Sequence, residues 1–135
     1  MSMPDMAAYL LERIAEDEQA AWGAVSDRPG SWVQGDNDAP GWDRDLVYYH
    51  SDWSGWTQFD YESMAAHVAR HDPARVIAEC EAKRRVVEHC QEVLLHHVHG
   101  DWDATDLARE ALQHLVRVYA GRLDYPPEWP PEVAL

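Results

Sequence analysis

The side chains best suited to chemistry lie in the segment 67–83, where imidazole, guanidinium and carboxylate groups crowd around an Asp-Pro step. Residues four apart lie on one face of a helix, so Arg75, Glu79 and Lys83 would share a face just after that step. Such a face could bind an anion, or it could lock two helices together through a polar network. With no catalytic residue assigned, the sequence predicts a binding cluster of seven residues: His67, Arg70, His71, Asp72, Arg75, Glu79 and Lys83.

A second set of polar side chains would line one face of a helix: His89, Glu92, His96 and His99. Only neighbouring pairs among them could share one ion, whereas a zinc site takes four ligands. Two ligands would have to come from elsewhere, and Cys80 and Cys90 lack the CxxC spacing of zinc sites. The sequence therefore predicts a solvated polar face here, with no metal and no cofactor.

Motifs of catalytic chemistry are missing from the sequence. It contains no GxSxG, HExxH, Walker glycine loop or GxGxxG, the patterns of hydrolases, zinc enzymes, NTPases and dinucleotide-binding enzymes. A nucleophilic Cys80 or Cys90 is conceivable, but both fall on the apolar side of a helix, where cysteine usually acts as a small hydrophobe. Ten residues of helix rise about 15 Å, which excludes a disulfide between them. The missing motifs favour a noncatalytic protein, but they do not exclude an enzyme.

Tryptophan is unusually frequent, with seven in 135 residues against a single Phe. With so little Phe, Trp and Tyr must fill much of the core, yet the same side chains are favoured anchors at protein interfaces. The sequence leaves both roles open. It predicts three of them as candidate interface aromatics: Trp42, Trp53 and Trp56.

The formal net charge of −14 limits the classes of molecule that the protein is expected to bind. DNA, RNA and anionic membranes bind clustered Lys and Arg, so we expect a protein partner and no nucleic acid or membrane. Carboxylates outnumber bases by thirteen to three in residues 1–62 and by seven to three in 101–135, whereas 63–100 has five of each. The bases of this neutral middle could pair with carboxylates of other segments, or with helix neighbours, as Glu81 with Arg85. The sequence does not predict an oligomeric state.

The length of 135 residues predicts a single domain over 1–135. Its parts are an acidic N-terminal helix (1–24), an aromatic hairpin region (31–60), a helical core (61–120) and a Pro-rich tail (121–135). No run of 18 apolar residues and no signal-peptide pattern is present, which predicts a cytoplasmic protein.

Hydrophobic periodicity predicts a first helix from Pro4, with Ser2 as its cap, to Trp22. Runs of β-branched and aromatic residues predict a hairpin of Ser31–Gln34 with Asp45–His50, and a weaker third strand at Trp56–Phe59. The predicted fold class is α+β: mainly helical, with about four helices and a small antiparallel β-hairpin packed on a long central helix.

The long helix follows from the Asp-Pro step. A short helix, Glu62–Arg70, should be stopped by the run His71-Asp72-Pro73, because Asp72, the residue before the proline, avoids the α region. Asp72 then serves as N-cap and Pro73 as first residue of a helix that runs to about Val98.

The chain after this helix carries further boundary signals. Asp103 or Thr105 should cap a last helix, and Gly121 should end it. The Pro pairs of the tail favour an extended, polyproline-like path, with Tyr125 and Trp129 as anchors.

The run HVARHDPARV at 67–76, followed by Glu79 and the EAKRR run at 81–85, resembles a family hallmark of the form HIARHDPARVLAEVEAKRRIL. That family comprises small acidic proteins of streptomycetes, related actinobacteria and their phages. LLERIAEDEQAA looks like its acidic first helix, and 115–129 like its closing helix and Tyr-Trp tail. The chain departs from the family at 90–105, where some members carry a cysteine-containing insert. The family is a domain of unknown function, so the resemblance implies an origin and no mechanism.

These features together predict a noncatalytic protein-interaction module from an actinobacterium or actinophage. Two alternatives stay open. An acidic DNA mimic would use its charge to occupy the nucleic-acid site of a host enzyme, and a small enzyme or ligand-binding protein would use the cluster at 67–83 in a concave pocket.

Overall fold

The computed structural model describes residues 3–27, 31–35, 44–49, 53, 55–96 and 102–132. The predicted α+β class, mainly helical with a small antiparallel sheet, is confirmed. Within the described residues the elements are α1 (Met3–Asp27), β1 (Val33–Gln34), β2 (Leu46–Tyr48), β3 (Trp56–Gln58), α2 (Glu62–Arg70), α3 (Pro73–His96), α4 (Trp102–Val116) and the 3₁₀-helix Arg117–Tyr119.

Backbone contacts divide the chain into two compact units. One comprises Met1–Glu16 with Glu81–Leu135, and the other comprises Asp17–Cys80. The first contains α4 and the tail, the second contains the sheet and α2, and α1 and α3 contribute to both. The single domain expected over 1–135 stays a prediction.

Helix α1 is longer than the predicted span of Pro4–Trp22, since it continues to Asp27. Gly23 does not end it, because one glycine inside a helix costs only about 1 kcal/mol relative to alanine. The predicted cap, Ser2, lies outside the described residues. The buried side chains of α1 include four that recur near the helical period, in agreement with the predicted periodicity: Met6, Leu10, Ile14 and Ala21.

The three strands form one antiparallel sheet in the order β1-β2-β3. Val33 pairs with Tyr48, and Tyr48 pairs with Trp56 on its other side. The predicted hairpin and third strand are confirmed, although each strand is shorter than predicted. His50, the predicted end of the second strand, lies outside the described residues.

The central strand supplies the core of the sheet. Val47 has 0% of its surface exposed, and its neighbours in β2 are also buried. Trp53 packs edge-to-face on Tyr48 with ring centroids 5.1 Å apart. Trp53 has a left-handed backbone conformation, φ 63°, which is strained for a bulky residue, whereas Gly55 at φ 66° has no Cβ to clash.

Helix α2 has the predicted bounds, Glu62–Arg70, and α3 begins at Pro73 as predicted. Helix α3 is described as far as His96, and its predicted end near Val98 lies outside the described residues. Among the described residues, α2 packs on the sheet through contacts with β1 and with β2. The buried side chains of α3 include Cys80, Val87 and Cys90, so both cysteines lie on the apolar side of the helix as predicted.

The predicted caps of α4 are wrong. The helix begins at Trp102, so Asp103 and Thr105 lie inside it, and Thr105 is buried. Gly121 does not end α4 either, because the helix tightens into a 3₁₀ turn after Val116. Burial of one helical stripe, which includes Ala108 and Leu112, sets the position of α4 more strongly than the capping preference of one polar residue.

The tail folds into turns where an extended path was predicted. The N–H of Tyr125 donates to the carbonyl of Arg122, and that of Trp129 to the carbonyl of Pro126, both at 3.2 Å. Trp129 is buried and Tyr125 half-buried, so both aromatic anchors are where the sequence predicts them. In the described part of the chain, no helix combines the length and apolar character that a membrane span requires.

The interior glycine of α1 gives a test of this helix. A Cβ added at Gly23 would meet nothing within 4 Å, so Gly23→Ala should raise the free energy of unfolding by about 0.5–1 kcal/mol. Ala20→Gly, at an exposed position in the same helix, should lower it by a similar amount. Urea denaturation measures both, and a destabilised Gly23→Ala variant would contradict an α1 that continues past residue 22.

Candidate functional site

The polar cluster predicted at 67–83 lies around the junction of α2 and α3, which we call the polar corner. Asp72 caps α3, because its Oδ1 accepts the backbone N–H of Arg75 at 2.9 Å and its carbonyl accepts that of Val76 at 3.1 Å. Its Oδ2 accepts the N–H of Trp32 at 3.4 Å, just before β1. One carboxylate therefore satisfies the start of a helix and also contacts the segment that enters the sheet.

The Arg75 side chain spans the same corner. Its Nη1 donates to the carbonyl of Arg70, close to the end of α2, at 3.0 Å. Its Nε donates to Oε1 of Glu79 at 2.9 Å, one turn along α3. The guanidinium thus joins the end of one helix to the first turns of the next.

The two histidines of the cluster lie at the end of α2. The rings of His67 and His71 stack with centroids 4.3 Å apart. His71 ends α2, where its backbone N–H bonds the carbonyls of His67 and Val68, and its Nδ1 lies 2.8 Å from the His67 carbonyl oxygen. Both side chains are exposed, so they extend the cluster at the surface.

The seven predicted residues are divided between the two units, although Arg75, Glu79 and Lys83 all lie on α3. The residues from His67 to Glu79 belong to the unit Asp17–Cys80, whereas Lys83 belongs to the other unit. There Lys83 lines a small apolar pocket with Leu10, Ile14, Leu115, Val118 and Tyr119.

The neighbouring bases of α3 pair within their own helix. Arg84 and Arg85 both bond Glu81, at 2.8 and 3.0 Å. The hydrogen bond from Arg85 is the main cause that lowers the pKa of Glu81 below its ordinary value of 4.5. Local pairs of this kind are those expected of a solvated helix.

The three candidate interface aromatics differ in position. Trp53 packs on Tyr48, within the cluster that also contains Leu46. Trp56 lies on the edge strand β3 with 56% of its surface exposed. Trp42 lies outside the described residues. Of the two described candidates, Trp56 is therefore the one with a large accessible aromatic surface.

No three His, Cys, Asp or Glu side chains converge as a metal site among the residues described, a set that leaves out His99. The expectation of no metal stays a prediction. Both cysteines are buried, and burial raises the pKa of the Cys90 thiol. That environment favours the neutral thiol, which is the poorer nucleophile.

A cluster that sequence reasoning missed joins α1 to the tail. The Tyr9 ring contacts three aromatic rings edge-on, with centroids 5.2 to 6.4 Å away: Tyr119, Tyr125 and Trp129. Its hydroxyl donates to Asp124 at 2.8 Å. Arg13, whose side chain is 12% exposed, lies over the same ring at 5.0 Å and pairs with Asp124. The sequence indicates the acidic helix and the Tyr-Trp tail separately, but no local pattern connects Tyr9 with Asp124, which are 115 residues apart.

Comparison with known proteins places the chain at family level. A family described as a family of unknown function (DUF6221) matches residues 3–131. The chain belongs to this DUF6221 family. No curated protein and no solved structure matches it.

Membership in DUF6221 confirms the resemblance to a domain family of unknown function. The matched range includes both the polar corner and the Tyr9 cluster. The actinobacterial or phage origin, and the binding role of the corner, stay predictions.

The cap at the corner predicts a stability change. Asp72→Ala removes the acceptor for the Arg75 and Trp32 N–H groups and should lower the free energy of unfolding by about 0.5–2 kcal/mol. Asp72→Asn keeps an oxygen acceptor and should change it by only a few tenths. Equal stability of the alanine variant and the wild type in urea would show that Asp72 does not cap α3.

The Tyr9 cluster predicts a pH dependence. The Tyr9 hydrogen bond, together with Arg122 and Arg13, lowers the pKa of Asp124 below its ordinary value of 3.8. A carboxyl with a lowered folded-state pKa stabilises the fold above its unfolded pKa and loses that contribution as the pH falls through the folded value. The stability difference between wild type and Asp124→Asn should therefore be constant from about pH 7 to 5 and shrink below about pH 4.

Urea denaturation at a series of pH values measures this difference. Asp106→Asn, at an exposed aspartate that pairs only locally with Arg109, is the control and should show a smaller change. An Asp124→Asn difference that does not vary between about pH 2.5 and 7 would contradict the proposed stabilisation of the ionised carboxylate.

Proposed function

We propose that this DUF6221 protein is a noncatalytic protein-interaction module that acts in the cytoplasm of an actinobacterium or of a cell infected by an actinophage. The observation that carries the proposal is the exposure of β3. All three residues of this edge strand are exposed, and Trp56 presents 56% of its surface. Tryptophan is the side chain most enriched among the residues that dominate binding energy at protein interfaces.

The surroundings of Trp56 support an interface. Two other large side chains of the same unit, Tyr61 and Met64, are also exposed just after β3. Aromatic residues and methionine are enriched in the buried centres of protein interfaces. A surface aromatic held on a strand keeps its position, which reduces the entropy lost on binding.

The contacts of the polar corner favour a structural role for it. The carboxylate of Asp72 accepts two backbone N–H groups, and the guanidinium of Arg75 bonds a carbonyl and Glu79. Groups engaged in this way stabilise helix ends. This favours the interaction module over an enzyme that would use the same residues for ligand binding or catalysis.

The acidic charge of the protein favours a partner with a basic surface. A protein of net charge −14 repels nucleic acid and attracts basic surfaces. A DNA mimic shares this charge but would bind through its carboxylates, whereas the present proposal puts an aromatic side chain at the centre of the interface.

Two tryptophans of nearly equal exposure provide a matched test. Trp56→Ala should reduce capture of a stoichiometric partner from an actinobacterial lysate at least tenfold, because hot-spot residues contribute about 2 kcal/mol or more. Trp22→Ala, in α1 and 53% exposed in the wild type, should leave capture unchanged. Quantitative mass spectrometry of the captured protein measures both.

Two outcomes would contradict the proposal. Equal loss for the two variants would mean that neither aromatic marks a specific interface. A captured protein that binds Trp56→Ala normally and is displaced by duplex DNA would indicate the DNA mimic.

A further inference from the structure

The hydrogen-bond register of the sheet determines which backbone groups of β3 are accessible. The N–H of Tyr49 donates to the carbonyl of Gly55, and that of Phe59 donates to the carbonyl of Asp45, at 2.9 and 2.8 Å. Hydrogen-bonded and non-hydrogen-bonded pairs alternate in an antiparallel ladder, so Thr57, which lies opposite Val47, also faces β2 with its backbone groups.

The same alternation directs the backbone N–H and C=O groups of Trp56 and Gln58 away from β2. Among the described residues no strand lies beyond β3 in the sheet. Two residues of an edge strand thus present donors and acceptors in the arrangement that a further strand would pair with.

The side chains of β3 and its neighbouring strands determine what the side chains of an added strand would contact. Val33, Tyr48 and Trp56 form one cross-strand row, so they share a face of the sheet. Tyr48 in the centre is buried, whereas Val33 and Trp56 on either side are exposed. An apolar side chain of an added strand would lie next to the Trp56 ring in this row.

Carboxylates surround the same edge. Asp60 and Glu62 follow β3 and are exposed, and Asp45 lies opposite its end, where it accepts a hydrogen bond from the Gln58 side chain at 2.9 Å. The nearby base, Arg44, lies 3.6 Å from Glu62. Among the described residues at this edge, three carboxylates outnumber one arginine, and this negative local charge matches a segment that carries lysine or arginine.

We propose that the edge of β3 is a strand-addition site for an extended, basic segment of a partner protein. The segment pairs with the outward backbone groups of Trp56 and Gln58, places an apolar side chain beside Trp56, and directs its lysine or arginine side chains toward Asp45, Asp60 and Glu62. This inference rests on the proposed interaction function and names the binding mode and the partner chemistry.

A second copy of this chain is a poorer occupant of the same edge. Self-pairing would bring two chains of charge −14 together, with the carboxylates near β3 close to their own copies, and like charges across an interface cost affinity. The basic segment removes that repulsion.

Two substitutions at Gln58 distinguish the contribution of its backbone N–H from that of its side chain. Gln58→Pro removes the outward N–H but leaves the bonds to β2, because proline is tolerated on an edge strand where its nitrogen faces solvent. Gln58→Ala keeps the N–H and loses the same side-chain bond to Asp45, which makes it the matched control. Circular dichroism and thermal unfolding check that both variants fold.

The probe is a capped, dye-labelled peptide of eight residues that alternates lysine with valine, and fluorescence anisotropy measures its affinity. Wild type and Gln58→Ala should bind it alike, and Gln58→Pro at least tenfold more weakly. Two altered peptides test the same contacts without altering the protein. One has N-methyl groups on alternate residues and the other has glutamate in place of lysine, and each should bind wild type at least tenfold more weakly.

Several results would overturn the strand-addition site. One is that Gln58→Pro binds the lysine peptide as tightly as wild type does. Another is that wild type binds the N-methylated or the glutamate peptide as tightly as the lysine peptide. A third is that wild type does not bind the lysine peptide. A wild-type dimer in sedimentation that Gln58→Pro converts to a monomer would assign the edge to a second copy. Partner capture that Trp56→Ala abolishes and Gln58→Pro preserves would reject strand addition while the proposed interaction function stands.

Discussion

The unit Asp17–Cys80 depends on one structural constraint, the need to satisfy the backbone where α2 ends and α3 begins. Two helix termini within three residues leave several N–H and C=O groups without helical partners. Pro73 removes one donor, and the Asp72 carboxylate accepts the N–H of Arg75 in the first turn of α3 and also that of Trp32, which lies outside the two helices. Because Trp32 directly precedes β1, the group that starts α3 also helps to position the first strand of the sheet.

In the other unit, long-range packing replaces local capping. The Tyr9 ring contacts those of Tyr119, Tyr125 and Trp129, and Arg13 lies over the Tyr9 ring and pairs with Asp124. Exposed ion pairs alone stabilise a protein little. The aromatic rings provide the larger share through burial and edge-to-face contacts, and the ion pair and the Tyr9 hydroxyl orient the tail on α1.

The elements that the sequence predicts well are those with a local physical cause. The Asp72-Pro73 step combines an N-cap with a residue that cannot continue the preceding helix, which explains why the bounds of α2 and the start of α3 are as predicted. The start of α4 has no such unique signal, because Asp103 and Thr105 are both polar candidates. Neither residue caps the helix: Thr105 is buried inside α4, and local sequence contains no information about that burial.

The candidate site, too, depends on tertiary contacts that the sequence alone does not reveal. Residue types alone draw attention to the charged corner at 67–83, yet the polar groups of Asp72 and Arg75 are engaged by backbone groups and by Glu79. Residue type also cannot separate Trp129, which is buried, from Trp56, which is exposed.

What distinguishes Trp56 is its place on an edge strand, and that depends on the strand order and register of the sheet. A residue's capacity to bind a partner therefore depends on which of its bonds the fold has already used, and in this chain the charged corner has used more of them than the sheet edge.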